Sequence, residues 1–300
     1  HWPTRPVKLI VPFPPGGSAD LTGRLIAQRL QEALGQPVIV ENRAGAGGAI
    51  ATETVARAAP DGYTLLLAVA GPLITAPLLQ KTSYDPLRDF APISNVDGNP
   101  QVLVVNPGVA AKNVRELIAL ARAQPGRLNI STAGPGSLID MSAIMFNTMA
   151  GVQITLVPYK GGAPAVAAVL AGEAQATFAN PSDAIAQVQA GKLRALAVTG
   201  AQTFAPMPEV PTIAASGLPE FVVETWYGLV APAGTPPEIV ARLSHIVQDA
   251  AKDPAMRRRM ADAGLTPIGD TPEQFRAFLQ AQVSFWSKFV RESGIKAADR

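Results

Sequence analysis

The sequence predicts an α/β protein of two domains, with mostly parallel sheets flanked by helices. Short apolar runs alternate with helical segments along the chain, as in sheets that helices cover. The 28 prolines and 26 glycines lie between these segments and do not form one linker. Of the 300 residues, 48% are hydrophobic and 16% are charged, so the chain can pack a core in each domain.

The N-terminal third predicts three strands joined by two helices. Val7 to Val11 is a short buried strand, and a glycine turn leads from it into a helix that Gly35 ends. Four leucines indicate the buried face of that helix: Leu21, Leu25, Leu30 and Leu34. The next strand is 38–40, a helix begins near Gly48, and a third strand covers 63–68.

The rest of the chain repeats this alternation before a helical C-terminal tail. The further predicted strands are 101–106, 128–131, 154–157, 175–180 and 195–199. The further predicted helices are one capped by Asn113, one ending at Met149, and those over 163–171 and 237–252. Thr271-Pro272-Glu273-Gln274 is a capping box with a first-turn proline, and it predicts a last helix to about Glu292.

The composition excludes several classes of function. Lys and Arg total 25 and Asp and Glu total 23, so the net charge of +2 does not provide the basic surface that nucleic-acid binding needs. The absence of cysteine excludes disulfides and thiol chemistry, and two histidines cannot form a histidine-based metal cluster. We therefore expect no metal, no cofactor and no nucleic-acid partner.

The sequence also predicts an exported protein that does not insert into the membrane. The most apolar stretch, 63–79, is interrupted by Gly71, Pro72 and Pro77 before it reaches the roughly 20 residues that a membrane span needs. The chain begins His1-Trp2 without a start methionine, and we interpret it as a mature chain whose signal peptide has been removed.

A proline- and glycine-rich loop after the first strand is the strongest candidate for a binding site. It contains Pro14-Pro15-Gly16-Gly17-Ser18-Ala19-Asp20 and leads directly into a helix. Glycines let the backbone expose its N–H groups, and the helix N-terminus adds partial positive charge, so the loop is suited to an anion. The alternative is a plain connection in which Ser18 or Asp20 caps the helix, and the Asp20 carboxylate competes for the same amides.

A second loop of the same type lies in the other half of the chain. Ser131-Thr132-Ala133-Gly134-Pro135-Gly136-Ser137 also joins a strand to a helix, and it adds three hydroxyl groups. Ligands of open α/β sheets lie beyond the carboxyl ends of the strands. Two such loops at one cleft are suited to an anion or to a molecule with two carboxylates.

No catalytic motif is complete. Gly16 to Asp20 lacks the second glycine of a nucleophile elbow. Gly191-Lys192 lacks the first glycine of a P-loop, and Gly45 to Ile50 ends in Ile where a dinucleotide fingerprint has Gly or Ala. His245 lies in a predicted helix and is interpreted as a surface residue. The chain is therefore predicted not to be an enzyme, and an α/β enzyme acting on small organic acids is the alternative.

Eight segments, in this order, carry a resemblance to a known family. They are 6–20 (PVKLIVPFPPGGSAD), 40–48 (VENRAGAGG), 59–66 (APDGYTLL), 84–92 (YDPLRDFAP), 157–161 (VPYKG), 190–199 (AGKLRALAVT), 210–212 (VPT) and 231–236 (APAGTP). The series resembles the Bug family, the solute receptors of tripartite tricarboxylate transporters in proteobacteria.

The resemblance implies a periplasmic binding protein whose two α/β domains close on a ligand like a flytrap. Residues 1–100 with 226–300 would form the first domain and 101–225 the second, with the ligand cleft between them. The implied ligand is a small carboxylate, and the implied partners are the permease subunits of a tripartite tricarboxylate transporter, with a sensor kinase as the alternative recipient. A monomer is expected, and a scaffold that binds nothing is a third alternative.

The resemblance also implies the ligand-binding positions, which act largely through backbone amides and hydroxyl groups. In the first glycine loop, defined here as residues 13–20, they are Phe13, Pro15, Gly16, Gly17, Ser18, Ala19 and Asp20. In the second glycine loop, residues 131–137, they are Ser131, Thr132, Ala133, Gly134, Gly136 and Ser137. The other cleft-lining positions are Ala70, Gly71, Tyr159 and Asn180, with Phe178 and Ala179 beside Asn180.

Three departures from the family's pattern bear on the ligand. Ala179 and Ala76 stand where many relatives have Asp and Asn, and Asp140 stands where relatives often have His. The first two would make the cleft less polar, and the loss of an acid weakens recognition of an ammonium group. We therefore expect a dicarboxylate with an apolar body, aliphatic or aromatic, in preference to an amino acid.

Overall fold

The computed structural model describes residues 1–295, and its helices and strands alternate. The strands are β1 (Val7–Val11), β2 (Val38–Asn42), β3 (Thr64–Val69), β4 (Phe90–Pro100), β5 (Val102–Val105), β6 (Asn129–Thr132), β7 (Thr155–Pro158), β8 (Ala176–Ala179), β9 (Arg194–Val198), β10 (Glu224–Pro232) and β11 (Thr266–Pro267). The α-helices are α1 (Ser18–Leu34), α2 (Ala49–Ala56), α3 (Ala76–Leu79), α4 (Val114–Ala123), α5 (Leu138–Ala150), α6 (Gly162–Leu170), α7 (Pro181–Gln189), α8 (Pro237–Lys252), α9 (Pro254–Asp262) and α10 (Pro272–Ser293).

The chain divides into two compact units. His1–Gly98 and the chain from Trp226 onward form the first unit, and Asn99–Thr225 form the second. The predicted first domain extends to residue 300, and its residues 296–300 lie outside the described part of the chain. The chain is expected to pass between two domains that move relative to each other near Pro100 and near Thr225. That expectation stays a prediction.

The first unit is built on a six-stranded sheet of order β11-β4-β10-β3-β1-β2. β1 pairs in parallel with β2 and β3, while β10 runs antiparallel to β3 and β11 antiparallel to β4. Side chains of β1 and β3 pack against α1 and α8 in a buried apolar core that includes Leu9, Leu65, Ile26 and Leu243. This sheet therefore holds a parallel group of strands, β2-β1-β3, beside antiparallel ones.

The second unit repeats that arrangement with a five-stranded sheet of order β7-β6-β8-β5-β9. β6 pairs in parallel with β7 and β8, and β5 runs antiparallel to both β8 and β9. The predicted α/β architecture with helix-flanked sheets is confirmed. The sheets, however, are mixed and not mostly parallel, because antiparallel strands extend each parallel group.

Most predicted elements are present within a few residues of their expected ends. The capping box of α10 is confirmed, since Gln274 N donates to Thr271 Oγ1 (3.1 Å) and Thr271 N donates to Gln274 Oε1 (2.9 Å). Leu21 is 37% exposed and so lies off the buried stripe of α1. The strands β4, β10 and β11 are not among the predicted elements.

Trp226 is a core residue of the first unit. Its indole packs edge-on against Phe275 and Phe278 of α10, with ring centroids 5.8 and 5.4 Å apart. The neighbouring Tyr227 is buried as well. Among residues 1–295, no helix combines the length and the apolar character that crossing a membrane requires.

The two segments by which the chain enters and leaves the second unit are joined at Thr199. Gln101 N donates to Thr199 Oγ1 (2.8 Å), and the same hydroxyl donates to the carbonyl oxygen of Val223 (2.5 Å). Backbone bonds from Thr199 N to Gln101 O and from Val223 N to Thr199 O, each 2.9 Å, complete the junction. One fully buried threonine thus fastens both ends of the unit.

Candidate functional site

The carboxyl ends of β1, β2 and β3 meet at one edge of the first unit. The segments that follow these three strands lie close together, as the packing around Gly48, which follows β2, shows. A Cβ atom on Gly48 would overlap the ring of Pro72, which follows β3, and would lie 3.2 Å from Pro12 Cβ, which follows β1. The first glycine loop leaves the middle strand of this group.

The first glycine loop exposes its backbone before α1 begins. Pro14, Pro15, Gly16 and Gly17 are exposed, whereas Ser18, Ala19 and Asp20 are buried. Gly16 adopts a φ of +107°, which L side chains rarely adopt. Gly17 is the N-cap residue of α1 and has no side chain that could cap the helix. The N-terminus of α1 is thus suited to receive an anion.

Asp20 does not cap α1 but binds back to the loop. Its Oδ2 atom accepts a hydrogen bond from Gly16 N (3.1 Å), so it takes one of the loop's amides, as predicted. Burial acts to raise the pKa of Asp20, but hydrogen bonds from Asn42, Arg24 and Gly16 outweigh it and hold the pKa below its usual value. The side chain is therefore a carboxylate at neutral pH.

The hydroxyl groups of the second glycine loop are used within the second unit. Ser131 Oγ donates to Ala165 O (2.7 Å), and Thr132 Oγ1 accepts from Gly134 N (3.3 Å). Ser137 Oγ donates to Gly134 O (2.7 Å) and accepts from Asp140 N (3.1 Å), so it caps α5. Ser131 and Thr132 are fully buried. These hydroxyls therefore shape the loop through bonds within the second unit.

The second loop repeats the acid of the first. Gly136 N donates to Asp140 Oδ2 (3.2 Å), four residues further on, just as Gly16 N donates to Asp20. Gly136 also has a positive φ, +80°. The sequence at both places is Pro-Gly followed by three residues and Asp, at 15–20 and 135–140. This shared spacing is a sequence signal for both loops that the sequence analysis missed.

The segment after β7 lies against the second loop. Tyr159 N donates to Thr132 O (2.9 Å), and a Cβ atom on Gly134 would lie 3.4 Å from Tyr159 O. Tyr159 itself is half-buried, and its hydroxyl donates to Glu173 Oε2 (3.3 Å). The carboxyl ends of the parallel group β7-β6-β8 therefore meet at one edge, as in the first unit.

Sequence reasoning missed two residues at this edge, Gly162 and Asp183. A Cβ atom on Gly162 would lie 3.2 Å from Asp183 Oδ2 and 3.5 Å from Asn180 Nδ2, so the three residues are neighbours. Burial raises the pKa of the Asp183 carboxyl. Both positions open helices that follow parallel strands, and the rule that ligands bind at such ends would have pointed to them.

Four further sequence-predicted residues are buried, while Phe13 and Ala133 are half-buried. Ala70 and Gly71, at the end of β3, are buried. Phe178 stacks on Phe221 with ring centroids 5.8 Å apart. Ala179 packs in the apolar core of the second unit. Phe178 and Ala179 are thus buried in the second unit, and the expectation that they line a ligand cleft stays a prediction.

Comparison with known proteins gives consistent matches over the length of the chain. The family model described as the tripartite tricarboxylate transporter family receptor matches residues 22–295. Protein BugT of Bordetella pertussis is 40% identical over 297 residues, which cover 98% of this chain and 91% of BugT.

Two solved structures with bound acids are also similar. R. palustris Rpa4515 with adipate has a TM-score of 0.92 and 36% identity, with 99% of each chain covered. MatC from Rhodopseudomonas palustris with bound malate has a TM-score of 0.87 and 34% identity, with 96% of this chain and 100% of MatC covered. Each of these proteins matches both units.

Proposed function

The chain belongs to the tripartite tricarboxylate transporter receptor family, and from that premise we propose that it captures a small dicarboxylate outside the cytoplasm for delivery to a permease. The family is one of solute-binding receptors and not of enzymes.

The observation that carries the proposal is the first glycine loop. It presents an exposed glycine backbone at the start of a 17-residue helix whose N-cap residue, Gly17, has no side chain. Backbone N–H groups and the helix dipole together favour an anion at such a position. Residues 13–20 contain no lysine or arginine, so amides would supply the recognition.

Two further points support a dicarboxylate with an apolar body. Each unit carries one glycine loop after the middle strand of its parallel group, so each unit offers one place suited to a carboxylate. Phe13 and Tyr159 are partly exposed beside these loops, and rings of this kind suit a hydrocarbon chain or an aromatic body. The similar protein Rpa4515 holds adipate, an aliphatic diacid.

In this proposal the family indicates both where the protein is located and which permease receives its ligand. Similar proteins are described as a periplasmic transporter and as the periplasmic binding protein BugD. We therefore place this receptor in the periplasm, exported by a signal peptide, with the permease of a tripartite tricarboxylate transporter as its partner.

Thermal unfolding with a panel of acids tests the proposal. The protein is freed of co-purified ligand and heated with adipate, malate, an aromatic diacid, citrate, aspartate or glutamate. A ligand at 1,000 times its Kd stabilises the folded state by about 4.1 kcal/mol. For a chain of this size that corresponds to a rise in Tm of roughly 8–16 °C.

The pattern across the panel separates the parts of the proposal. A large shift with aliphatic or aromatic diacids, and with those alone, is the expected result. A preference for aspartate or glutamate would contradict the apolar body. A flat panel would overturn the proposal that the protein is a carboxylate receptor.

A further inference from the structure

We propose that Arg24 is a positioning residue of the first glycine loop, which neutralises Asp20 so that the loop accepts an anionic ligand. This inference rests on the proposed carboxylate receptor and identifies a part of that binding site outside the loop. It follows from one arrangement in the first unit, in which a buried carboxylate stands inside a loop proposed to bind carboxylates.

Asp20 poses an electrostatic problem for the loop. Its carboxylate lies 3.1 Å from Gly16 N and therefore within the backbone that would face the ligand. Like charges at such short range repel each other strongly where burial reduces the screening by water. Without a compensating cation, the acid that shapes the loop would oppose the binding of a second carboxylate.

Arg24 supplies that cation one helical turn later. Its Nε atom lies 3.1 Å from Asp20 Oδ1 and 3.0 Å from Oδ2, so one N–H group is shared between both carboxylate oxygens. The acid is almost fully buried, with 7% of its side chain exposed, whereas 52% of the Arg24 side chain is exposed. Arg24 lowers the pKa of Asp20 both through its hydrogen bond and through its charge.

Asn42, the last residue of β2, holds both groups against the loop. Its Nδ2 atom donates to Asp20 Oδ1 and to the carbonyl oxygen of Phe13, each at 2.9 Å, and its Oδ1 atom accepts from Arg24 Nη2 at 3.1 Å. The two ends of the first glycine loop, Phe13 and Asp20, are thus fixed by the same side chain. A loop held in its binding shape loses less entropy when a ligand arrives.

This pair differs from an ordinary ion pair on a helix surface. Arg57 and Glu53 have the same spacing, with their charged atoms 2.8 Å apart, but their side chains are 69% and 37% exposed. Asp20 instead is buried and bound by Gly16, Arg24 and Asn42 together. Arg57 therefore provides a matched control, because its replacement removes an i,i+4 arginine of the same unit without altering the loop.

The inference predicts an effect of Arg24 that depends on Asp20. Kd values for adipate and for malate are measured by calorimetry in low salt with the wild-type chain, R24Q, R24K, R57Q, D20N and D20N/R24Q. R24Q is expected to weaken binding of the acid that the wild type binds by at least about tenfold. R24K, which keeps the charge, is expected to lose less, and R57Q to stay within about twofold of the wild type.

The double variant distinguishes charge neutralisation from a merely structural role. In the D20N background the carboxylate is gone, so R24Q is expected to change Kd by less than about twofold. If R24Q weakens binding by the same factor in the wild-type and D20N backgrounds, the inference is overturned. It is also overturned if R24Q binds with the affinity of the wild type. Because the Arg24 side chain is half exposed, R24Q is expected to keep the wild-type fold. Circular dichroism of the variant checks this.

The outcome for the wild-type chain separates this inference from the proposed function. A wild type that binds none of the panel acids overturns the proposed function, and the role of Arg24 falls with it. A wild type that binds adipate or malate, together with an unaffected R24Q variant, overturns the role of Arg24 alone.

Discussion

Single residues give the two glycine loops their shape. In each loop a glycine with positive φ donates its N–H to an aspartate four residues later, Gly16 to Asp20 and Gly136 to Asp140. The surroundings of the two acids differ, because Arg24 follows Asp20 by one turn and Ile144 occupies the matching place after Asp140. The first loop is therefore the one whose acid is neutralised by an arginine on its own helix.

A prediction at this scale concerns the amide of Gly17. A proline at this position removes the N–H, and the residue's φ of −89° lies near the range that proline adopts. If the amide binds a ligand carboxylate, G17P loses about 1.5–3 kcal/mol of binding free energy, or roughly 10- to 100-fold in Kd. Calorimetry with the panel acid that binds best measures this loss.

The control is the alanine variant at the same place. A Cβ atom on Gly17 meets nothing within 4 Å, and the backbone conformation suits any residue, so G17A keeps the amide and the local structure. G17A is expected to bind within about threefold of the wild type, a limit set by the small effect of most surface substitutions. Equal affinities for G17P and the wild type would show that this amide takes no part.

Both loops could be predicted from sequence because a strand, glycines and a helix follow one another at each place. The hydrogen bonds of their hydroxyl groups could not be predicted, because Ser131 of β6 donates to Ala165 O of α6. The same holds for Asn42, which reaches Phe13 and Asp20 only once β2 lies beside β1. Contacts between segments distant in sequence leave no local pattern to detect.

At the scale of elements, β4 shows why a strand can escape prediction. Its sequence, FAPISNVDGNP, contains Pro, Gly, Asn and Asp, which are depleted in strands. Tertiary contacts satisfy two of its buried polar side chains, Ser94 and Asp97. Ser94 Oγ donates to Asp270 O (2.7 Å), and Thr22 Oγ1 of α1 lies 2.9 Å from both carboxylate oxygens of Asp97. β10, by contrast, is rich in aromatic and β-branched residues that do favour a strand.

The contact of β4 with α1 predicts a dependence of stability on pH. Burial raises the pKa of Asp97 to about 8, although the hydrogen bond from Thr22 opposes this. As the pH rises from about 4 to about 8, the unfolded chain releases a proton that the folded chain keeps, so the free energy of unfolding falls. D97N removes this loss. Relative to the wild type it is expected to gain at least about 1 kcal/mol more at pH 8 than at pH 4.

Urea unfolding at both pH values checks this expectation. D249N serves as the control, because Asp249 is an exposed acid on α8 of the same unit. It is expected to shift the midpoint equally at both pH values. A D97N variant that runs parallel to the wild type across this range would contradict a protonated Asp97.

On the scale of the whole molecule, two units repeat one plan. Each has a parallel group of three strands, β2-β1-β3 and β7-β6-β8, with a glycine loop after the middle strand. The repeated alternation of short strands and helices predicted this plan. The insertion of antiparallel strands could not be read from local patterns, because it depends on which distant segment fills each edge of a sheet.

The division into units predicts which part of the chain folds alone. Residues 99–225 contain the whole five-stranded sheet, its own core and the Thr199 junction between their two ends. A polypeptide of these residues is expected to unfold in one cooperative urea transition. Residues 1–98 lack β10, α8 and α10, and are expected to show no such transition. A gradual loss of circular dichroism in the 99–225 polypeptide would contradict this division.

The place of β10 in its sheet has a consequence for the order of assembly during synthesis. β10 lies beside β3 and is antiparallel to it, yet it is made only after the entire second unit. The first unit is thus begun first and completed last, while the second can finish in between. Throughout that interval one apolar edge of β3, with Leu65, Leu66 and Leu67, lacks its neighbour. A nascent chain halted after residue 225 therefore leaves this edge open to mispairing, and the arrival of β10 ends that exposure.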